Sequence, residues 1–189
     1  MNKYFFVIPL VIGFFFNWAS AFTAAFSRRW GEKWGSRLSF IFRNVLGIPV
    51  WAVGIALAVR TRSPKWFSPG HAAIISGWGL ISAGCGIILL GLRAIRWRAA
   101  RPTMRDELVQ DGIYAQIRHP LHAGTFLEIA GLWLLFPTQA ITLACGLWLV
   151  WVLVQTRLEE IDLLQRIRGY REYMDRVPRF VPRFRSNTK

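Results

Sequence analysis

Apolar runs alternate with short polar connections along most of the chain. They cover Tyr4–Phe26, Leu38–Val59, Ala72–Ile95, Leu121–Phe136 and Ala140–Thr156. The first three match the ~20 residues a helix needs to cross a bilayer core. The last two are somewhat shorter, and only Pro137-Thr138-Gln139 separates them, which predicts a tight helical hairpin. From Arg157 the chain turns polar, with Leu158, Ile161, Leu164 and Ile167 recurring at three-residue intervals. That spacing predicts an amphipathic helix whose apolar stripe faces inward or lies on the bilayer surface. The expected fold is therefore all-α: a polytopic membrane protein with five transmembrane helices, the last two a tight hairpin, and a C-terminal amphipathic cytoplasmic helix. A three-span region over 1–100 and a loop, hairpin and helix over 101–189 form one membrane domain.

Composition agrees with the pattern. Of 189 residues, 53% are hydrophobic and 15% aromatic, yet the net charge is +14. A soluble domain this apolar has too little interior to hide that surface. The basic residues follow topology: 19 of the 24 Lys and Arg fall in the first, third and final connections, with Arg43 inside a run and the rest opposite. The positive-inside rule then puts the C-terminus and the 96–120 connection in the cytoplasm, at the inner membrane if the cell is bacterial. Anionic lipid absorbs the charge without a nucleic-acid partner. Ala19-Ser20-Ala21 resembles a signal-peptidase site, but Lys3 alone supplies the basic flank, so the first run is expected to stay as a span.

Chemistry concentrates in Asp111–Gly124, where a polar loop enters an apolar run and sets Tyr114, Arg118, His119 and His122 at its mouth. Pro120 suits the first turn of a helix, whose N-terminus then favours an anion. Arg43 and Glu128 fall ~8 Å and ~10 Å deep from the same face at the helical rise. They read as an ion pair or as the polar floor of a cavity. Glu159-Glu160 returns to that face as a solvated pair or as a carboxylate wall. A metal is not expected: His119 and His122 lack further ligands, since His71 lies opposite and Glu128 is two turns deeper. Gly77, Ala83, Gly84 and Gly91 read as small packing residues and not as a dinucleotide loop.

Three separated motifs carry a resemblance. Gly112-x-Tyr114-x3-Arg118-His119-Pro120-x3-Gly124, then Glu159-Glu160-x2-Leu163, then Tyr170-x2-Tyr173-x3-Val177-Pro178-Arg179-Phe180-x-Pro182 resembles the integral-membrane methyltransferases. That group holds isoprenylcysteine carboxyl methyltransferase, its prokaryotic relatives and the phospholipid N-methyltransferases. The likeness covers about residues 105–184. It implies methyl transfer from S-adenosylmethionine to a lipophilic or lipid acceptor at the cytoplasmic face. It further implies a cofactor pocket lined by Tyr114, Arg118, His119, Pro120 and Gly124 and closed by Glu159 and Glu160, with Glu160 on the amine or ribose. Arg179 belongs to the terminal motif as a structural residue. Arg43, Glu128 and His122 are the catalytic candidates; His122 stands where the family has Tyr, and suits a base for an amine or thiol. Carboxyl, amine, thiol and hydroxyl acceptors all stay open. Competing readings are a sterol-type membrane reductase using a nicotinamide cofactor, and a non-enzymatic membrane scaffold.

Overall fold

A computed structural model describes residues 4–96 and 101–183. Lys3 and the division at residue 100 lie outside the described residues. Those residues fold as helices: α1 (Val7–Ser20), α2 (Thr23–Trp30), α3 (Glu32–Phe40), α4 (Ile48–Arg60), α5 (His71–Ile95), α6 (Pro120–Leu135), α7 (Gln139–Arg166) and α8 (Tyr170–Arg176). A π-helical stretch, Ile41–Gly47, joins α3 to α4, making one helix from Glu32 to Arg60. Three helices are long and apolar enough to cross a membrane: Glu32–Arg60, α5 and α7.

The first apolar run does not form a single straight helix. It breaks after Ser20, and α2 turns 63° away from α1, so the pair makes at most one broken fourth span. The change follows composition, since Ser27, Arg28 and Arg29 favour water over lipid at the far end of that run. α6, with 16 residues, is short for a crossing.

The 157–167 segment differs more sharply from expectation. No separate helix begins at Arg157; α7 runs unbroken for 28 residues to Arg166. Its inner face there is polar: Thr156, Glu160 and Asp162 are buried while Ile161 is 51% exposed. In lipid an apolar side chain loses nothing by facing outward, whereas a charge gains from an internal partner, so the amphipathic rule inverts. The same inversion shows at Phe15, Ile75 and Leu89, all of which are exposed.

Packing inside is close and aromatic. Phe6, just before α1, and Leu10 and Phe14 of α1 share a core with Trp148, Trp151 and Val152 of α7. Phe14 stacks on Trp151 at 5.2 Å between ring centres, and Trp51 meets Trp148 at the same separation. α5 and α6 pack through Gly77, Gly84 and Gly91, as their spacing suggests, but Ala83 points outward. A Cβ on Gly84 would lie 2.6 Å from the Gly124 carbonyl oxygen, and one on Gly124 would lie 2.5 Å from that of Gly84. Only glycine allows this approach.

The connections sort into two groups. At one end, the 61–70 loop binds the hairpin turn, with Trp66 N donating to Pro137 O (2.8 Å) and Gln139 N to Pro64 O (3.0 Å). At the other, Arg105 pairs with Glu32 (3.2 Å), and Arg28 donates to Gln165 (2.6 Å). The first, third and final connections thus meet at one end.

Candidate functional site

The site forms at the end where the basic connections gather. Three polar ties build its frame. Arg166 reaches Asp162 (2.6 Å), Asp106 (2.6 Å) and Thr103 O (3.0 Å), while Asp162 accepts from Ala24 N (2.7 Å). This fastens the 101–106 loop and α2 to the end of α7. Next, Tyr173 donates to Tyr114 O (2.7 Å), holding α8 against the short 3-10 turn Gly112–Ala115. Gly112 starts that turn at φ 57°, a left-handed conformation that glycine takes without strain. Last, Arg118 N donates to Pro178 O (2.9 Å) and His119 N to Arg179 O (3.1 Å). The Val177–Phe180 motif therefore runs alongside the Arg-His-Pro motif, which explains why both are present.

Glu160 is the hub of the frame. It is 1% exposed, accepts from Arg179 Nη2 (2.6 Å) and Arg179 Nε (3.0 Å), and forms an ion pair with Arg118 Nη2 at 3.1 Å, with His119 Nε2 at 3.3 Å. Charge-assisted bonds of this number satisfy both carboxylate oxygens.

Glu159, one residue earlier, faces a cavity of about 330 Å³. Its Oε1 accepts from Arg43 Nη2 (3.0 Å) and Gln155 Nε2 (2.8 Å). Its Oε2 lies 3.9 Å from His119 Nδ1 and 3.8 Å from His122 Nδ1. Arg43 sits in the π-helical stretch, a deviation that recurs at functional sites, and its Nε also donates to Ser20 (3.3 Å). Trp51, Ile88, Leu121 and Trp151 line the apolar part of the cavity; Tyr114, Tyr170 and Tyr173 close the loop side. Burial pushes all three phenols up, Tyr173 to about 12, so they stay neutral near pH 7.

The phospholipid methyltransferase family profile matches residues 72–171, just over half of the chain. The chain belongs to the phospholipid methyltransferase family. It is also similar to the nickel-cobalt-cadmium resistance protein NccN of Alcaligenes xylosoxydans xylosoxydans. That protein is 30% identical over 161 residues, covering 79% of this chain and 71% of its own length. No solved structure matches. For a phospholipid methyltransferase family member the matched stretch has a physical logic, since it starts at α5, whose glycines seat α6.

Within this family member the structure divides the sequence candidates. Tyr114, Arg118, His119, His122, Glu159 and Arg43 line one cavity. Pro120, Gly124 and Glu128 stand on the opposite face of α6: Pro120 lies against the Gly91 position, Gly124 against Gly84, and Glu128 accepts from Cys85 Sγ (3.4 Å). The expected Arg43–Glu128 pair is not formed, because Glu159 takes Arg43 at 3.0 Å while Glu128 turns toward α5. Glu160, expected on a cofactor amine or ribose, is consumed by Arg118, Arg179 and His119, and Glu159 faces the cavity in its place. Arg118, expected on an anion, spends Nη1 on Met174 O (2.5 Å) and Nη2 on Glu160. The metal reading also changes: His119, His122 and Glu159 bring three ligand atoms within 4.8 Å of one another.

Sequence reasoning missed Gln155, Asp162, Arg166 and Asp106. The first three share a signal with Glu159: positions 155, 159, 162 and 166 recur at four- and three-residue steps, one polar face of a helix.

Proposed function

We propose that this protein transfers a methyl group from S-adenosylmethionine to a lipophilic or lipid acceptor at the cytoplasmic membrane face. The observation that carries the reading is the mixed lining of one cavity: ionic Arg43, His119, His122 and Glu159 beside apolar Trp51, Ile88 and Trp151, with Trp151 at 6.2 Å from His122 between ring centres. A zwitterionic cofactor and a greasy acceptor need those two linings side by side. In this reading α1, Glu32–Arg60, α5, α6 and α7 all cross the bilayer, and the basic end is cytoplasmic.

The residues present fit the cofactor. Arg118 Nε and Gln155 Oε1 are buried polar atoms without a hydrogen-bond partner among the described residues, and both residues line the cavity. A carboxylate answers the first, and an ammonium or amino group the second. When bound, S-adenosylmethionine supplies an electrophilic methyl on a sulfonium. Glu159 Oε2 offers a negative charge to that cation, and Arg43 keeps the Glu159 carboxylate in place. His122 is positioned to accept the proton an amine or thiol acceptor gives up. Trp51 and Trp151 keep water out and hold the acceptor in line. Alignment of this kind accounts for up to ~7–11 kcal/mol of a barrier.

Calorimetry of the purified protein in detergent with S-adenosylmethionine, S-adenosylhomocysteine and NADPH tests the proposal. Binding of the first two is expected. Binding of NADPH alone, or of nothing, refutes it. Labelled S-adenosylmethionine with a lipid extract then identifies the acceptor class.

A further inference from the structure

Three ligand atoms converge at the start of α6, from buried His119 and half-buried His122 and Glu159. His119 Nε2 lies 3.3 Å from Glu160 Oε1, and a carboxylate only accepts, so in the neutral imidazole that nitrogen carries the proton and Nδ1 presents a lone pair. This Nδ1 points at Glu159 Oε2 across 3.9 Å, and His122 Nδ1 lies 3.8 Å from the same oxygen. The other Glu159 oxygen is taken by Arg43 and Gln155, which leaves Oε2 turned to the imidazoles. With both imidazoles neutral, acceptors held this close call for a positive charge between them.

We propose that His119, His122 and Glu159 bind a divalent transition cation of the zinc, cobalt or nickel class. Two imidazole nitrogens with one carboxylate oxygen suit these ions, whereas magnesium and calcium favour oxygen alone. The second layer is in place as well. Glu160 orients His119 as a carboxylate orients a metal-bound histidine, and Arg118 and Arg179 hold Glu160. Ligands around a tetrahedral ion stand about 3.3 Å apart, so the three side chains draw in by about 1 Å on binding. A remaining coordination position faces the cavity, open to an exogenous ligand. Two features oppose the cation: the Arg43 guanidinium, and the α6 dipole, which weakens binding by less than about tenfold. The inference does not rest on methyl transfer, because the test uses the metal alone; the metal ion and the cofactor sulfonium are alternative occupants beside Glu159 Oε2, so the two exclude each other there.

The experiment is a Co2+ titration of detergent-purified protein carrying a histidine-free tag, read by visible absorption and repeated by Zn2+ calorimetry. One site per chain is expected, unaffected by excess Mg2+. His122→Ala and Glu159→Gln should each weaken it at least about tenfold, and His71→Ala should leave it unchanged. No saturable site, a site that survives both first-group variants, or a site lost in His71→Ala overturns the proposal. X-ray absorption of the zinc-loaded parent protein covers the case of a variant that fails to fold. Two imidazoles in the zinc shell are expected, and a shell without imidazole is refuting.

Discussion

Glu160→Gln is the sharpest single perturbation of this frame. The change keeps volume and shape while removing one negative charge and one acceptor oxygen. In the parent, the two carboxylate oxygens take three contacts from Arg118 and Arg179, at 2.6 to 3.1 Å, besides His119 at 3.3 Å. The glutamine amide nitrogen must then face a guanidinium donor or the imidazole N–H. Removing one partner of a buried ion pair costs ~3–5 kcal/mol, mostly from the charge left behind. Arg179 is 30% exposed and reaches water, but Arg118 is 9% exposed and does not. One stranded charge, not two, places the expected loss near the lower end, about 3 kcal/mol. The assay is reversible unfolding in mixed micelles under increasing denaturing detergent, with limited proteolysis after Arg176 and Arg179 as a local readout. The C-terminal segment should be cut faster, because its link to α7 runs through Glu160. A double-mutant cycle with Arg179→Gln should return a coupling of ~0.5–3 kcal/mol. A stability loss under ~1 kcal/mol with an unchanged cleavage rate would show that Glu160 is not the hub described here.

Other consequences test separate parts of the structure. Glu159→Gln should weaken S-adenosylmethionine binding at least ~10-fold, the equivalent of ~1.4 kcal/mol, while Glu128→Gln leaves it unchanged; the opposite order in calorimetry would move the cofactor to the other face of α6. Gly124→Ala drives a Cβ into the Gly84 carbonyl and should cost ~1–3 kcal/mol, whereas Gly79→Ala, which meets nothing within 4 Å, should not destabilise by the same unfolding assay. Tyr173→Phe removes the bond to the Tyr114 carbonyl and should cost ~1–3 kcal/mol, since that acceptor is left buried. Alkaline pH probes the same phenol. Its value rises from 10.0 to about 12 on folding, so its contribution is fully present below pH 10 and is lost as pH climbs toward 12. The difference in absorbance at ~295 nm between the parent and Tyr173→Phe should develop above pH 10, toward 12, and a difference centred near pH 10 in the folded protein would refute it.

How far the sequence reads out depends on which physical rule governs each segment. Apolar runs and their glycines were legible because bilayer thickness sets helix length and close helix crossings demand small residues. The motif residues Arg118, His119, Glu159 and Arg179 were legible as a group, yet their division of labour was not. Spacing put Glu159 and Glu160 at the same depth, but neighbours in a helix point about 100° apart, so only one of them faces the cavity. The same rule separates His122 and Thr125 from Pro120, Gly124 and Glu128 on α6, a split available from the sequence had the helix face been assigned. Depth alone matched Arg43 to Glu128; the helix face matches it to Glu159.

The 157–167 segment continues α7 instead of starting a helix of its own. Its apolar stripe is half-buried at Leu158 and Leu164 and exposed at Ile161, as a stripe on the bilayer surface would be and one facing inward would not. Where lipid meets the helix, the side that needs partners is the polar one, and Gln155, Glu159, Asp162 and Arg166 mark it at the same helical period. Three of these have a partner on another element: Glu159 takes Arg43 from the π-helical stretch, Asp162 takes Ala24 N from α2, and Arg166 reaches Asp106 in the loop, while Gln155 donates to Glu159 on the same helix. One polar stripe on α7 thus gathers α2, the 101–106 loop and the π-helical stretch around a single cavity, and Glu159 belongs both to that stripe and to the ionic lining of the site, through its bond with Arg43.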